Sequence, residues 1–131
     1  MLLGVLFIGC GHSSDGSGTG AKECAQGFYE AIVRQDWANA YATLDPETKK
    51  RWKSEQFTQL AKNYRSSLGF EPEAVHIRAC DEQNADATAH IVLTGRTTTQ
   101  DRRHNDAVAL RRTEDGWRIV LPESFGRSKK R

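Results

Sequence analysis

Apolar residues fall first at helical spacing along this chain and then at strand spacing. Cys24, Phe28 and Ile32 recur every fourth residue with Ala25 and Tyr29 beside them, which predicts an amphipathic helix over about 22–35. Trp37, Ala40, Tyr41 and Leu44 follow at i, i+3, i+4 and i+7. They predict a second, short helix with Asp36 placed to cap it. Asp45-Pro46 is a cap followed by proline at the first helical position, so a third piece is expected to run to about Trp52. Ser54 is expected to cap a fourth helix, with Phe57, Leu60, Ala61, Tyr64 and Leu68 on its apolar side and Gly69 ending it.

After Pro72 the period changes to two. Val75, Ile77 and Ala79 alternate with His76, Arg78 and Cys80. Ala87, Ala89, Ile91 and Leu93 alternate with Thr88, His90, Val92 and Thr94. Shorter alternations surround Val108 and Leu110, and then Trp117, Ile119 and Leu121. Four strands joined by short turns such as Asp115-Gly116 predict an antiparallel meander. The fold class is α+β, with N-terminal helices packed on one face of a curved four-stranded antiparallel sheet. Matching the apolar faces of the first hairpin points to a register that sets His76 opposite His90 and Cys80 opposite Asp86.

The ends differ in composition from this middle. Residues 1–10, M-L-L-G-V-L-F-I-G-C, are all apolar or glycine, and residues 11–20 contain no large apolar side chain. The first stretch is too short to span a bilayer but suits the apolar part of a secretory signal. The expected organisation is a signal segment at 1–10, a flexible Gly/Ser linker at 11–20, a domain at 21–122 and a basic, disordered tail at 123–131. The formal charge is +2 over 131 residues. Residues 21–122 balance fifteen basic against fifteen acidic side chains, so nucleic acid is not an expected partner. The run Lys49-Lys50-Arg51-Trp52-Lys53 reads as a solvated helix face.

Phe7-Ile8-Gly9-Cys10 resembles the lipobox of bacterial lipoproteins, which implies lipidation at Cys10 and an exported, membrane-anchored protein at the cell envelope. A plain secretory signal is the other reading. The order of elements carries a second resemblance, together with Phe28-Tyr29, Asp36-Trp37, Ala40-Tyr41-Ala42-Thr43-Leu44 and Asp45-Pro46-Glu47. It is to the nuclear transport factor 2-like (cystatin-like α+β) superfamily, of the small-domain type found in bacterial lipoproteins. The resemblance implies a pocket between sheet and helices. It also implies association through the outer sheet face, hence a possible homodimer. Enzymes of this superfamily place an acid or histidine in the pocket as proton shuttle, often with a tyrosine donor. Fold alone does not decide activity.

Candidate pocket-lining residues are Phe28, Tyr29, Trp37, Tyr41, Tyr64 and Trp117. Among the strand positions expected to face the helices, from Val75 to Leu121, none is titratable. No catalytic residue and no cofactor is therefore expected. The reading is a non-catalytic domain that binds an envelope partner or a small apolar ligand; the alternative is a small-molecule isomerase, dehydratase or cyclase working in the pocket. His76 and His90, if opposite each other, could share a metal ion, or stand as solvated residues on an open sheet. Cys24 is expected toward the core and Cys80 outward, which disfavours a disulfide between them.

Overall fold

The computed structural model describes residues 19–127. The segment at 1–10 with Cys10, most of the linker and the last four residues of the tail lie outside the described residues. Four helices precede four strands: α1 (Ala21–Arg34), α2 (Trp37–Ala42), α3 (Pro46–Arg51), α4 (Ser54–Ser66), β1 (Glu71–Gln83), β2 (Asp86–Arg96), β3 (Asp101–Thr113) and β4 (Gly116–Val120).

The apolar stripe of α1 is buried at Ala21, Ala25, Phe28, Tyr29, Ala31 and Ile32. The helix ends where Gln35 turns left-handed, φ 64°. Its last carbonyls have no helical partner. Gln35 N–H donates to the Ile32 oxygen at 3.1 Å, and the Arg65 guanidinium adds donors to the Ile32 and Val33 oxygens at 3.2 and 3.0 Å. Asp36 caps α2 and Asp45 caps α3 through side-chain acceptors. Ser54 does not cap α4; it is the first helical residue, and Lys53 holds the cap position. Gln56 Oε1 accepts from the Lys53 backbone N–H at 2.9 Å. The cap thus comes from inside the helix, because a lysine side chain has no acceptor to offer.

The strands form an antiparallel meander in the order β1-β2-β3-β4. The outer edge of β4 is not bare. The turn between α2 and α3 lies beside it, with Asp45 N–H donating to the Ile119 oxygen and Ile119 N–H to the Thr43 oxygen, both at 2.8 Å. An edge covered in this way cannot template another chain. The sheet curves so far that Thr19 touches both outer strands. Its hydroxyl accepts from Trp117 Nε1 at 2.6 Å and donates to the Glu82 carboxylate at 3.2 Å.

The expected register of the first hairpin does not form. Between Ile77 and Ala79 the pairing slips by one residue, leaving Arg78 as a bulge. One extra residue turns every later side chain onto the opposite face. Cys80 therefore points inward and packs against the core, while Ala79 is exposed. His76 lies opposite Val92, His90 opposite Ala79 and Cys80 opposite Ala89.

The core sits between the sheet's inner face and α1, α2 and α4. It includes an aromatic group from distant parts of the chain. Phe125 stacks on Phe57 and Tyr64 at centroid distances of 6.0 and 5.3 Å and lies 6.4 Å from Phe28. The domain therefore extends past Pro122, where the tail was expected to begin, through the turn that carries Phe125. Gly126 follows at φ +73° against the Leu60 carbonyl of α4, where any side chain would collide. Glycine there lets the turn close onto the helix.

Candidate functional site

An open pocket of about 780 Å³ lies beside this turn. Its walls come from α1, α4, β3 and residues 121–127. Beyond the first hairpin, β3 starts six residues earlier than the alternation around Val108 suggested. Alternation fixes which of these added residues face the pocket. Val108 and Leu110 are buried, so Asp106 and His104 share their side of the strand. The expectation that no titratable strand residue faces inward is overturned by these two.

Asp106 is the hub. The Tyr64 hydroxyl donates to its Oδ2 at 2.6 Å and the Tyr29 hydroxyl to the same oxygen at 3.3 Å. Oδ1 accepts from the Ala107 backbone N–H at 2.7 Å. Burial, with the negative charge of Asp106 adding to it, holds the Tyr29 phenol well above its usual pKa. Burial does the same to Tyr64, reinforced by Tyr29 and Asp106. Both phenols therefore stay protonated and remain donors through the working pH range. The His104 ring meets Tyr64 edge-on at 6.2 Å. Among the described residues no lysine or arginine forms an ion pair with Asp106. Such a carboxylate can accept a donor from a ligand, balance a positive charge or take up a proton.

The sequence profile of the SnoaL-like domain matches residues 22–123. The chain belongs to the SnoaL-like family. That places it in the nuclear transport factor 2-like fold, a group with both ligand-binding and enzymatic members. No curated protein matches this chain at a significant level. Among solved structures, it resembles a Campylobacter jejuni protein described as an NTF2-like transpeptidase, at TM-score 0.61 and 14% identity over 77% of this chain and 97% of that one. A SEC-C motif containing protein from Psychrobacter arcticus gives TM-score 0.60 and 13% identity, over 79% and 59% of the two chains. A cystatin-like protein of unknown function from Methylobium petroleophilum gives 0.51 and 17%, over 86% and 84%. Identities this low speak to fold alone.

Of the six candidate lining residues, the SnoaL-like domain brings Tyr29 and Tyr64 to the pocket. Phe28 is fully buried in the core behind them. The Tyr41 hydroxyl donates to the Trp52 oxygen at 2.9 Å, Trp37 packs against the core's edge, and Trp117 bonds Thr19 at the far end of the sheet. His76 and His90 both lie on the outer face but out of register, because the hairpin turns at Asn84-Ala85 with Gln83 opposite Asp86, and the nearest acid to His90 is Asp81, at 3.8 Å. Cys24 and Cys80 are both free and both turned toward the core. The Cys24 thiol donates to the Trp117 oxygen at 3.3 Å, and burial pushes its pKa up to about 11.

The sequence reading missed His104, Asp106 and Phe125. For the first two a signal existed. Extending the alternation backward from Leu110 and Val108 gives Asp106 and His104, provided a strand is allowed through the polar run D-R-R-H-N-D.

Proposed function

We propose that this SnoaL-like domain binds a small molecule in the pocket between α1, α4, β3 and the C-terminal turn. The observation that carries the reading is the Asp106 carboxylate held by the Tyr64 and Tyr29 hydroxyls where the pocket opens. Ligand sites are commonly concave and mostly apolar, with a few converging polar groups. Here Val108, Leu121 and Phe125 supply the apolar wall and Asp106 with its tyrosines the polar end. The ligand is thus part apolar rather than wholly so. A small-molecule library screened by thermal shift tests this. Binders should raise the Tm of the unmodified protein and lose most of that effect in Asp106→Asn. Binders indifferent to Asp106→Asn would refute the assignment.

The same cluster favours a second reading, proton transfer within the pocket. Asp106 would take a proton from a bound substrate while the tyrosines orient the carboxylate. Isomerisation, dehydration or cyclisation of a bound binder is the readout. Turnover that falls at least about a hundredfold in Asp106→Asn supports a general base; binding without turnover leaves the domain a binder.

We also propose that the protein is exported and anchored through a lipid on Cys10. Support comes from Phe7-Ile8-Gly9-Cys10 after an apolar run and before a Gly/Ser-rich stretch. Fractionation of producing cells tests it. The protein should follow the membranes and leave them in Cys10→Ser; a variant still in the membrane fraction would refute the anchor.

A further inference from the structure

We infer that the pocket takes an organic ammonium ion, with Asp106 as its counter-ion. The inference rests on the small-molecule reading above and narrows it to a chemical class. Four observations lead to it.

Asp106 is half-buried, and among the described residues it has no cationic partner. Charge removed from water is costly unless it is balanced. The two tyrosine hydroxyls stabilise the carboxylate but do not neutralise it. The fully buried Asp45, by contrast, has the Arg111 guanidinium at 3.8 Å.

The hydrogen-bonding capacity left at this end of the pocket is that of an acceptor. The phenol protons are already directed at Asp106 Oδ2, so lone pairs on the carboxylate and on the phenol oxygens face an incoming group. An alkylammonium head is all donors and no acceptor. A carboxylate or phosphate would be repelled, and a ketone would meet no free donor from this cluster.

The surroundings are aromatic. Tyr29, Tyr64 and Phe125 line the same cavity, with Tyr64 stacked on Phe125 at 5.3 Å and 6.4 Å from Tyr29. Aromatic ring faces attract cations, more strongly when water is partly excluded. Of the other ionisable groups lining the cavity, His104 stands against Tyr64 and Arg127 is solvent-exposed.

Size is the fourth observation. About 780 Å³ is far more than an ammonium head fills. The cation is then one end of a larger molecule whose apolar body lies along Val108, Leu121 and Phe125.

The test uses the full chain, isotopically labelled, and three isosteric probes: 2-phenylethylamine as its ammonium, 2-phenylethanol and phenylacetate. Amide shifts of residues 104–108 and 124–127 report binding in the pocket. The ammonium should bind at least about tenfold more tightly than the alcohol, with phenylacetate the weakest. Asp106→Asn should abolish that preference and leave the alcohol's affinity within about threefold. Tyr64→Phe should weaken the ammonium less than Asp106→Asn does, in a protein that still melts cooperatively. Alcohol or phenylacetate binding as tightly as the ammonium would overturn the inference, as would a preference that survives Asp106→Asn. Pocket shifts from the alcohol without any ammonium preference would overturn the inference and leave the small-molecule reading standing. No pocket shift from any of the three would overturn both.

Discussion

The inner face of β3 has two halves that obey one alternation and come to opposite ends. Leu110 and Val108 lie under the helices and are almost wholly buried. Asp106 and His104, two and four residues earlier, continue the same side of the strand into an open pocket. The difference is the cover. Over Leu110 and its neighbours Ala87 and Ile119, α1 closes the surface and only apolar side chains are found. Over Asp106 the cover is two tyrosine edges and the turn at 123–126, and the carboxylate is only half-buried. A single strand thus builds core in one half and site in the other. The polarity of its inward residues tells which.

Substitutions sharpen this contrast. The largest effect belongs to the closed half: Leu110→Ala should cost about 3 kcal/mol in urea unfolding, because the fully enclosed site cannot collapse around the lost volume. Phe125→Ala, in the wall between the halves, should cost about 2 kcal/mol, less than a rigid core phenylalanine, since its turn is free to move. A result above that of Leu110→Ala would mean the turn is part of the closed core. The third effect is a pH dependence in the closed half. Cys24 ionises near 9.0 when unfolded and near 11 when folded. Between those values the unfolded chain has lost a proton that the folded one keeps, so stability falls as pH rises, by about 2 kcal/mol at about pH 11. Cys24→Ala should flatten that slope, measured as Tm from pH 8 to 11. A slope unchanged by the substitution would place the alkaline titration elsewhere. Tyr64→Phe should cost about 1.5 kcal/mol, the low end for one hydrogen bond to a charged acceptor, because the site is partly wetted. The smallest effect is expected at the centre of the site. Asp106→Asn should change stability by less than about 1 kcal/mol, because an unpaired carboxylate contributes little to folding. A strongly destabilised Asp106→Asn would recast the cluster as structure and erase the contrast.

The helices were legible because burial follows their apolar stripes closely, and Asp36 and Asp45 cap where their positions suggest. The strands were legible only at their apolar centres. Arg78 gives no sign that it is a bulge; the slip depends on how the strand bends around the core, and with it went the direction of Cys80, while the pairing of the histidines was lost at the turn, which closes at Asn84-Ala85 with Gln83 opposite Asp86. The first half of β3 was hidden because every residue from Asp101 to Asp106 is polar, so alternation of hydrophobicity has nothing to register. Phe125 was masked by the polar residues around it. Its burial depends on a glycine meeting a helix sixty-six residues away in sequence, at Leu60. Tyr29 and Tyr64 could be named as candidates, but only folding brings both to one carboxylate oxygen.

Thr19 joins Trp117 of β4 to Glu82 of β1 at the end of the sheet opposite the pocket. The main chain enters α1 directly after Thr19, so these two contacts fix where it enters the domain relative to both margins of the sheet. The pocket sits at the other end of those strands, so a domain held from its N-terminal side presents its open mouth away from the point of attachment.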